Sequence, residues 1–389
     1  MTRGMTRIAL TALAATLTIA PGCSREESSA PVQTPRPMMS KTPFERTADD
    51  QSVDLITLRN RNGIEIQVLS YGGIIMSLKT PDRTGAIDDI VLGFDHLKDY
   101  VEKSPYFGTL IGRYGNRIAK GKFTLDGQTY TLATNNNANH LHGGIKGWDK
   151  VVWGADMFQN AGAVGVILTY TSKDGEEGYP GTVKARVTYS LNEQDELTVD
   201  YFATTDKPTV INLTQHSYFN LAGTNAQDVL GHELMLNADG YTPVDAGLIP
   251  LGQIAPVAGT PFDFKAPTPI GARINDTHEQ IARGGGYDHN FVLNRTGDGL
   301  SLAARVVEPM SGRTVTVSTT EPGVQFYTGN FLDGTLTGKG GRLYGRRAGF
   351  CLETQHYPDS PNQPAFPSPV LRPGQEYRSK TVFAFGTVK

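Results

Sequence analysis

Residues 122–135 read KFTLDGQTYTLATN. Phe123 and Leu125 alternate with polar neighbours before Asp126-Gly127, and Tyr130 and Leu132 alternate after it. An Asp-Gly pair between two alternating runs favours a tight turn with positive φ at both positions, so the stretch predicts a β-hairpin. The period of two recurs outward along the chain. VGVILTY (164–170), VKARVTYSL (183–191) and LTVDYF (197–202) are β-rich and alternate in part. LSLAARVV (300–307), TVTVST (314–319) and a closing segment at 382–385 continue the pattern. Helical patterning is weak: residues 96–104 and 273–283 each have room for a short helix or turn. After residue 50 no run of ten or more residues carries an apolar stripe at 3.6-residue spacing. No repeat of fixed period is present. The expected fold is all-β, one large antiparallel β-sandwich with few short helices.

Composition supports one large core. The 389 residues are 38% hydrophobic and 19% charged, with 44 Gly and 23 Pro to make frequent turns. Basic and acidic residues number 36 and 39, a net charge of −3, which argues against a nucleic-acid partner. Cys23 and Cys351 are too few for a disulfide framework.

The N-terminus reads as a targeting segment. Residues 1–23 are MTRGMTRIALTALAATLTIAPGC, with Arg3 and Arg7 ahead of an apolar stretch over 8–20. That stretch is too short to span a hydrocarbon core of roughly 30 Å, and residues 1–22 suit a cleaved secretory signal. The ending Ala20-Pro21-Gly22-Cys23 resembles a bacterial lipobox, with Ala20 where leucine is usual. Export across a bacterial inner membrane is expected, to a periplasmic location, with Cys23 as the lipidated residue and the only membrane contact. Residues 23–50 hold Pro31, Pro35, Pro37 and Pro43 among polar neighbours and are expected to form an extended tether, leaving 51–389 as the folded domain.

Five polar segments interrupt the strands. In GRYGNRI (112–118) two arginines and Asn116 lie among glycines; alone it reads as a surface turn. In NNNANHLHGG (135–144) His140 and His142 fall on one side of an extended strand, but no third metal ligand follows at a recognised spacing, so no metal is expected. NLTQHSYFN (212–220) sets His216 among hydrogen-bonding residues and aromatics. Ser217 points to the other face, and no nucleophile elbow is present. GGGYDHNF (284–291) offers either a flexible turn or a close backbone approach to a ligand. In GFCLETQ (349–355) Glu353 shares a face with Cys351 and Gln355. Burial there would make it an ion-pair partner or a tuned acid/base, and the residues alone leave both open.

Taken together, GRYGNRI, LHGG (141–144), TQHSYFNLAG (214–223), GYDHNF (286–291), PGVQFYTGN (322–330) and FCLETQ (350–355) resemble the aldose 1-epimerase family, the galactose mutarotases, in order and spacing. GFDHLKDY (93–100), PVDAGLIPL (243–251) and NQPAFPSPVLRPGQEY (362–377) resemble it too, so the likeness runs from about residue 53 to 386. It implies the galactose mutarotase type of β-sandwich and interconversion of the anomers of free aldoses such as glucose and galactose. It implies Glu353 as general base and His216 as general acid. Substrate contacts are implied for Asn116, Arg117, His142, Asp288 and Gln325, with Tyr218 beside them. No cofactor is implied, and the partner is a monosaccharide.

The chemistry suits these residue types. Opening a hemiacetal ring removes a proton from O1 and delivers one to O5, which one carboxylate and one protonated imidazole can do. A carboxylate near His216 would raise its pKa, and Asp288 is the expected source. Tyr218, Phe219 and Trp148 are candidate aromatic platforms. Three rival readings stand beside this one. A non-catalytic carbohydrate-binding module would need no acid/base pair. A glycosidase or lyase would use paired carboxylates such as Asp288 and Glu353. An epimerase of phosphorylated hexoses would call for an added arginine cluster, which is not seen.

Overall fold

The computed structural model describes residues 38–224 and 226–389, with residues 1, 5, 9, 12 and 14. Apart from those five positions, the expected signal peptide and tether up to residue 37, and Cys23 with them, lie outside the described residues. Residues 35–389 form one compact unit, distinct from residues 1–34.

The alternating runs become strands. Val183–Asn192 buries Val183, Ala185, Val187, Tyr189 and Leu191 on one face. It pairs antiparallel with Ala163–Ser172 on one side and Glu196–Thr205 on the other. Among the described residues these belong to a nine-stranded sheet. The C-terminal strand Tyr377–Thr387 closes it by inserting between Glu196–Thr205 and Arg313–Thr319. The predicted hairpin is present: Lys122–Leu125 pairs with Gln128–Thr131, and Asp126 and Gly127 take φ of 50° and 80°. Two helices occur among the described residues, Leu97–Lys103 and Glu279–Gly284, both where short helices had room to form.

The tether expectation is corrected for its second half. Met38–Arg46 is a strand, paired antiparallel with Ser52–Arg59 at the edge of a five-stranded meander. Its polar composition and Pro43 suit an exposed edge, where a missing N–H and outward charges are tolerated. Lys41 fastens it, its Nζ donating to the Ala155 carbonyl at 2.9 Å and pairing with Asp54 at 3.2 Å.

A second five-stranded sheet carries the polar chemistry. Asp288–Leu293, Gly323–Tyr327 and Cys351–Gln355 lie side by side in it. The register sets Asp288 opposite Tyr327 and Tyr327 opposite Cys351; Asn290, Gln325 and Glu353 form the next row. The period of two therefore places all six side chains on one face. Phe291, Val324, Phe326 and Leu352 take the other face, inside the main apolar core.

Candidate active site

The polar face of this sheet meets surrounding turns and short strands across a cavity of about 360 Å³, whose walls include Tyr106, Asn116, Arg117, His142, His216, Tyr218, Asp288, Tyr327, Phe331 and Glu353. A larger groove of about 890 Å³ lies elsewhere, beside the ion pair between Lys339 and Asp89 at 2.6 Å. Its lining includes none of the buried unpartnered side-chain atoms found among the described residues, whereas Glu353, His142 and His216 meet at the smaller cavity.

Local structure aims each group. His216 ends the short strand Thr214–His216, which pairs with Thr109–Ile111. Asn116 adopts φ of 64°, and its amide N–H donates to Nδ1 of His142 at 3.1 Å. His142 itself sits at φ of 49°, so the chain turns at that point. The two histidines of this segment therefore part company. His140 bonds the Ala133 carbonyl through Nδ1 at 2.8 Å and the Tyr179 hydroxyl through Nε2 at 2.6 Å, while His142 lines the cavity. Gly143, at φ of 84°, lets this turn lie against GRYGNRI, because a Cβ there would collide with the Gly112 carbonyl. Asn212 clasps the walls, donating to the carbonyls of Gly115 and His356 and accepting from the His356 amide at 2.9 Å.

The arginines of GRYGNRI are buried, not solvated. Arg113 is structural, donating to the Pro180 carbonyl at 2.7 Å and to Ser172 Oγ at 2.6 Å. Arg117 borders the cavity and donates through Nε to Asn136 at 3.2 Å. The three glycines at 284–286 are not among the residues that line the cavity. They end the short helix and lead into the Asp288 strand, with Asn330 Nδ2 donating to the carbonyls of Gly284 and Tyr287.

Glu353 and His216 face each other. Nε2 of His216 lies 3.5 Å from Oε2 of Glu353, and that oxygen has no hydrogen-bond partner among the described residues. Both side chains are almost wholly buried. Burial, and secondarily the neighbouring Asp288 carboxylate, holds the Glu353 pKa well above the usual carboxylate range, against the pull of Arg117. Burial pushes His216 down to about 3. The expectation that Asp288 raises His216 is thus corrected: removal from water dominates the imidazole, and Asp288 acts on Glu353. Burial therefore disfavours charge on both groups and favours a neutral carboxyl beside a neutral imidazole. Asp288 is itself raised by burial, with Arg117 opposing the shift.

Other expected residues separate into those at the cavity and those behind it. Asn116, Arg117, His142, Tyr218 and Asp288 border it. Gln325 does not line it; it lies behind Asp288 and donates to that carboxylate at 2.7 Å. Tyr218 stacks on His216 at 5.1 Å between ring centroids and donates to the Pro105 carbonyl. Phe219 packs in the core against Phe350 and Phe383, and Trp148 against Trp153, so neither is a platform. Among the aromatics that line the cavity, sequence reasoning missed Tyr327, Phe331 and, against the two histidines, Tyr106. Tyr106 lines the cavity at φ of 70°, meets the His142 ring edge-on at 4.6 Å and stacks over His216 at 5.8 Å. Nothing in the local pattern SPYFG marks it.

His142, His216 and Glu353 each place one potential ligand atom within 4.8 Å of the others. The donor chemistry does not fit a metal. Nδ1 of His142 accepts the Asn116 N–H, so the proton of its neutral ring sits on Nε2, and that nitrogen has no lone pair to offer. Such a group is a donor to a hydroxyl.

Fold and cavity together define a class: a β-sandwich enzyme that moves protons on a small, hydroxyl-rich molecule. The sequence profile of one family, aldose 1-epimerase, matches residues 54–384. Pig galactose mutarotase is 49% identical over 322 residues, spanning 83% of this chain and 91% of the pig protein. Aldose 1-epimerase of Escherichia coli K12 is 39% identical over 352 residues, spanning 90% and 99%. Among solved structures, galactose 1-epimerase of Lactobacillus acidophilus superposes with a TM-score of 0.80 at 28% identity, covering 91% of this chain and all of that one. The chain belongs to the aldose 1-epimerase family.

Proposed function

We propose that the protein interconverts the α and β anomers of free aldoses, glucose and galactose among them. The observation that carries this reading is the buried Glu353 oxygen without a partner, 3.5 Å from an equally buried His216. An incoming sugar supplies what that oxygen lacks. Hydroxyls donating to Glu353 favour its ionised form, and its proton passes to His216. Glu353 then takes the proton from O1 while His216 delivers one to O5, and the ring opens. The open-chain aldehyde rotates about C1–C2. Reclosure on the other carbonyl face reverses both transfers.

The resting proton position has a catalytic use. Once the ring has opened, Glu353 is protonated and His216 is neutral, the same state that burial prefers in the empty site. Ring opening thus discharges a buried ion pair, and stabilising the transition state of that step is what a rate gain requires. Arg117, Asn116 and the Nε2 proton of His142 hold sugar hydroxyls, and Asp288 accepts from them. Gln325 keeps Asp288 in place.

Polarimetry tests the reading. Wild-type protein should speed the relaxation of fresh α-D-glucose and α-D-galactose. Glu353→Gln and His216→Asn should each lose about 10²–10⁴-fold in kcat. Acceleration that survives both substitutions would overturn the assignment of roles. We further propose that the protein is exported and lipidated at Cys23, on the strength of residues 1–23. Labelled palmitate should enter the wild-type chain in a bacterial host and not Cys23→Ser; equal labelling of both would refute it.

A further inference from the structure

We propose that Tyr327 is a further substrate-binding residue, whose O–H donates to the same sugar hydroxyl that gives its own proton to Asp288; this rests on the aldose reading above. Tyr327 borders the cavity and takes no part in the proton transfers. It stands opposite Asp288 in the antiparallel register, with Cys351 on its other side, and the three side chains leave the same sheet face. Its ring is well held, meeting Tyr218 edge-on at 5.9 Å and stacking on Phe331 at 5.9 Å.

The hydroxyl has a definite polarity. Its oxygen accepts the Phe331 N–H at 3.1 Å, and among the described residues its proton has no acceptor. Burial, and then the Asp288 carboxylate, hold the phenol far above its usual range, so it stays a neutral O–H donor. The neighbouring Tyr218 differs, because its proton already goes to the Pro105 carbonyl at 2.9 Å. Asp288 is the complementary half. Gln325 donates to its Oδ1 at 2.7 Å, and a carboxylate has further acceptor sites to offer.

A sugar hydroxyl wants an acceptor for its proton and a donor for its lone pair. Asp288 and Tyr327 supply one of each from adjacent strands, and the Phe331 N–H on the phenol oxygen polarises the O–H that is given. A hydroxyl held from both sides is also a checkpoint. An analogue lacking it leaves two buried polar groups unpaired.

Deoxy sugars test this. Tyr327→Phe keeps the ring and removes only the hydroxyl. Dissociation constants for glucose and for 2-, 3-, 4- and 6-deoxyglucose come from ligand-observed NMR titration of wild type and variant, so binding is read apart from turnover. The variant should bind glucose about fivefold more weakly, the worth of one neutral hydrogen bond. It should lose the same factor on three of the deoxy sugars and nothing on the fourth, which lacks the contacted hydroxyl. Asp288→Ala should be indifferent to that same fourth sugar. Unchanged glucose binding by Tyr327→Phe overturns the proposal. So does an equal loss on every sugar, which would mark the hydroxyl as a prop for Phe331, or indifference of Asp288→Ala to a different sugar. A wild type that binds glucose without speeding its mutarotation sinks the functional reading and leaves the contact measurable; one that binds no aldose overturns both.

Discussion

Tyr106 shows what one side chain adds to a site whose other members lie in motifs. Its ring is half-buried, spans His142 and His216, and is held at a backbone angle that non-glycine residues rarely adopt. Lys150 Nζ lies 5.3 Å from its ring centroid. An aromatic so placed offers a face to the C–H side of a sugar ring. Tyr106→Leu should raise KM for glucose about fivefold to tenfold while Tyr106→Phe stays near wild type, since the ring face and not the hydroxyl is used. Michaelis parameters from polarimetry check this; equal KM for Leu and Phe variants would count against it. Asn116-Arg117 and His216 stood out only once the motifs were taken together, since GRYGNRI alone reads as a surface turn. Tyr106 was illegible, because only the backbone turn brings the ring over the histidines. Alternation predicted the face that Glu353 shares with Cys351 and Gln355, but not that Gln325, implied by the resemblance as a substrate contact, would bond Asp288 instead of lining the cavity.

At the scale of elements, turns decide whether the walls meet. The LHGG turn reverses direction at His142 and tucks under Gly112. Gly143→Ala forces a Cβ against backbone that has no room to move, at a φ that alanine resists. The variant should unfold at lower temperature and lose at least about tenfold in kcat/KM, because His142 and the Asn116 loop shift together. Thermal melts beside kinetics check both; a variant with normal melting and normal turnover would show that the turn can relax. Strands were legible because period-two alternation survives wherever one face is buried. The edge strand Met38–Arg46 was not, since an edge exposed on most positions carries little apolar signal. The glycines at 284–286 were ambiguous for another reason: a helix stop and a ligand loop use the same residue type.

For the whole molecule, three buried imidazoles outweigh the raised carboxyls of Glu353 and Asp288, which act the other way because the native state holds protons there that the unfolded chain releases. Burial holds His216 and His289 at about 3 and His232 at about 4. The unfolded values lie near 6.5. Folded values below unfolded ones mean that the unfolded chain binds protons the native state refuses, so stability falls as pH drops from 6.5 toward 4. By pH 4 each imidazole accounts for a loss on the order of 3 kcal/mol. His356 has the opposite sense. Burial works against its charge, but Glu321 at 2.7 Å more than offsets this and raises it, so its contribution is fully present below pH 6.5 and is lost above the folded pKa. The expected net result is a melting temperature that declines steadily between pH 7 and 4. A flat or rising profile would contradict the neutral, buried assignment.

The Asn212 clasp has a consequence in time. It joins residue 115 to residue 356 through a side chain between them, so it closes two long stretches of chain at once. Contacts of such separation form late, because closing the loops costs entropy before any bond is gained. A ribosome making this protein has released nothing able to turn over sugar until the strand bearing Glu353 has emerged. The cavity is therefore among the last features to exist in each newly made molecule.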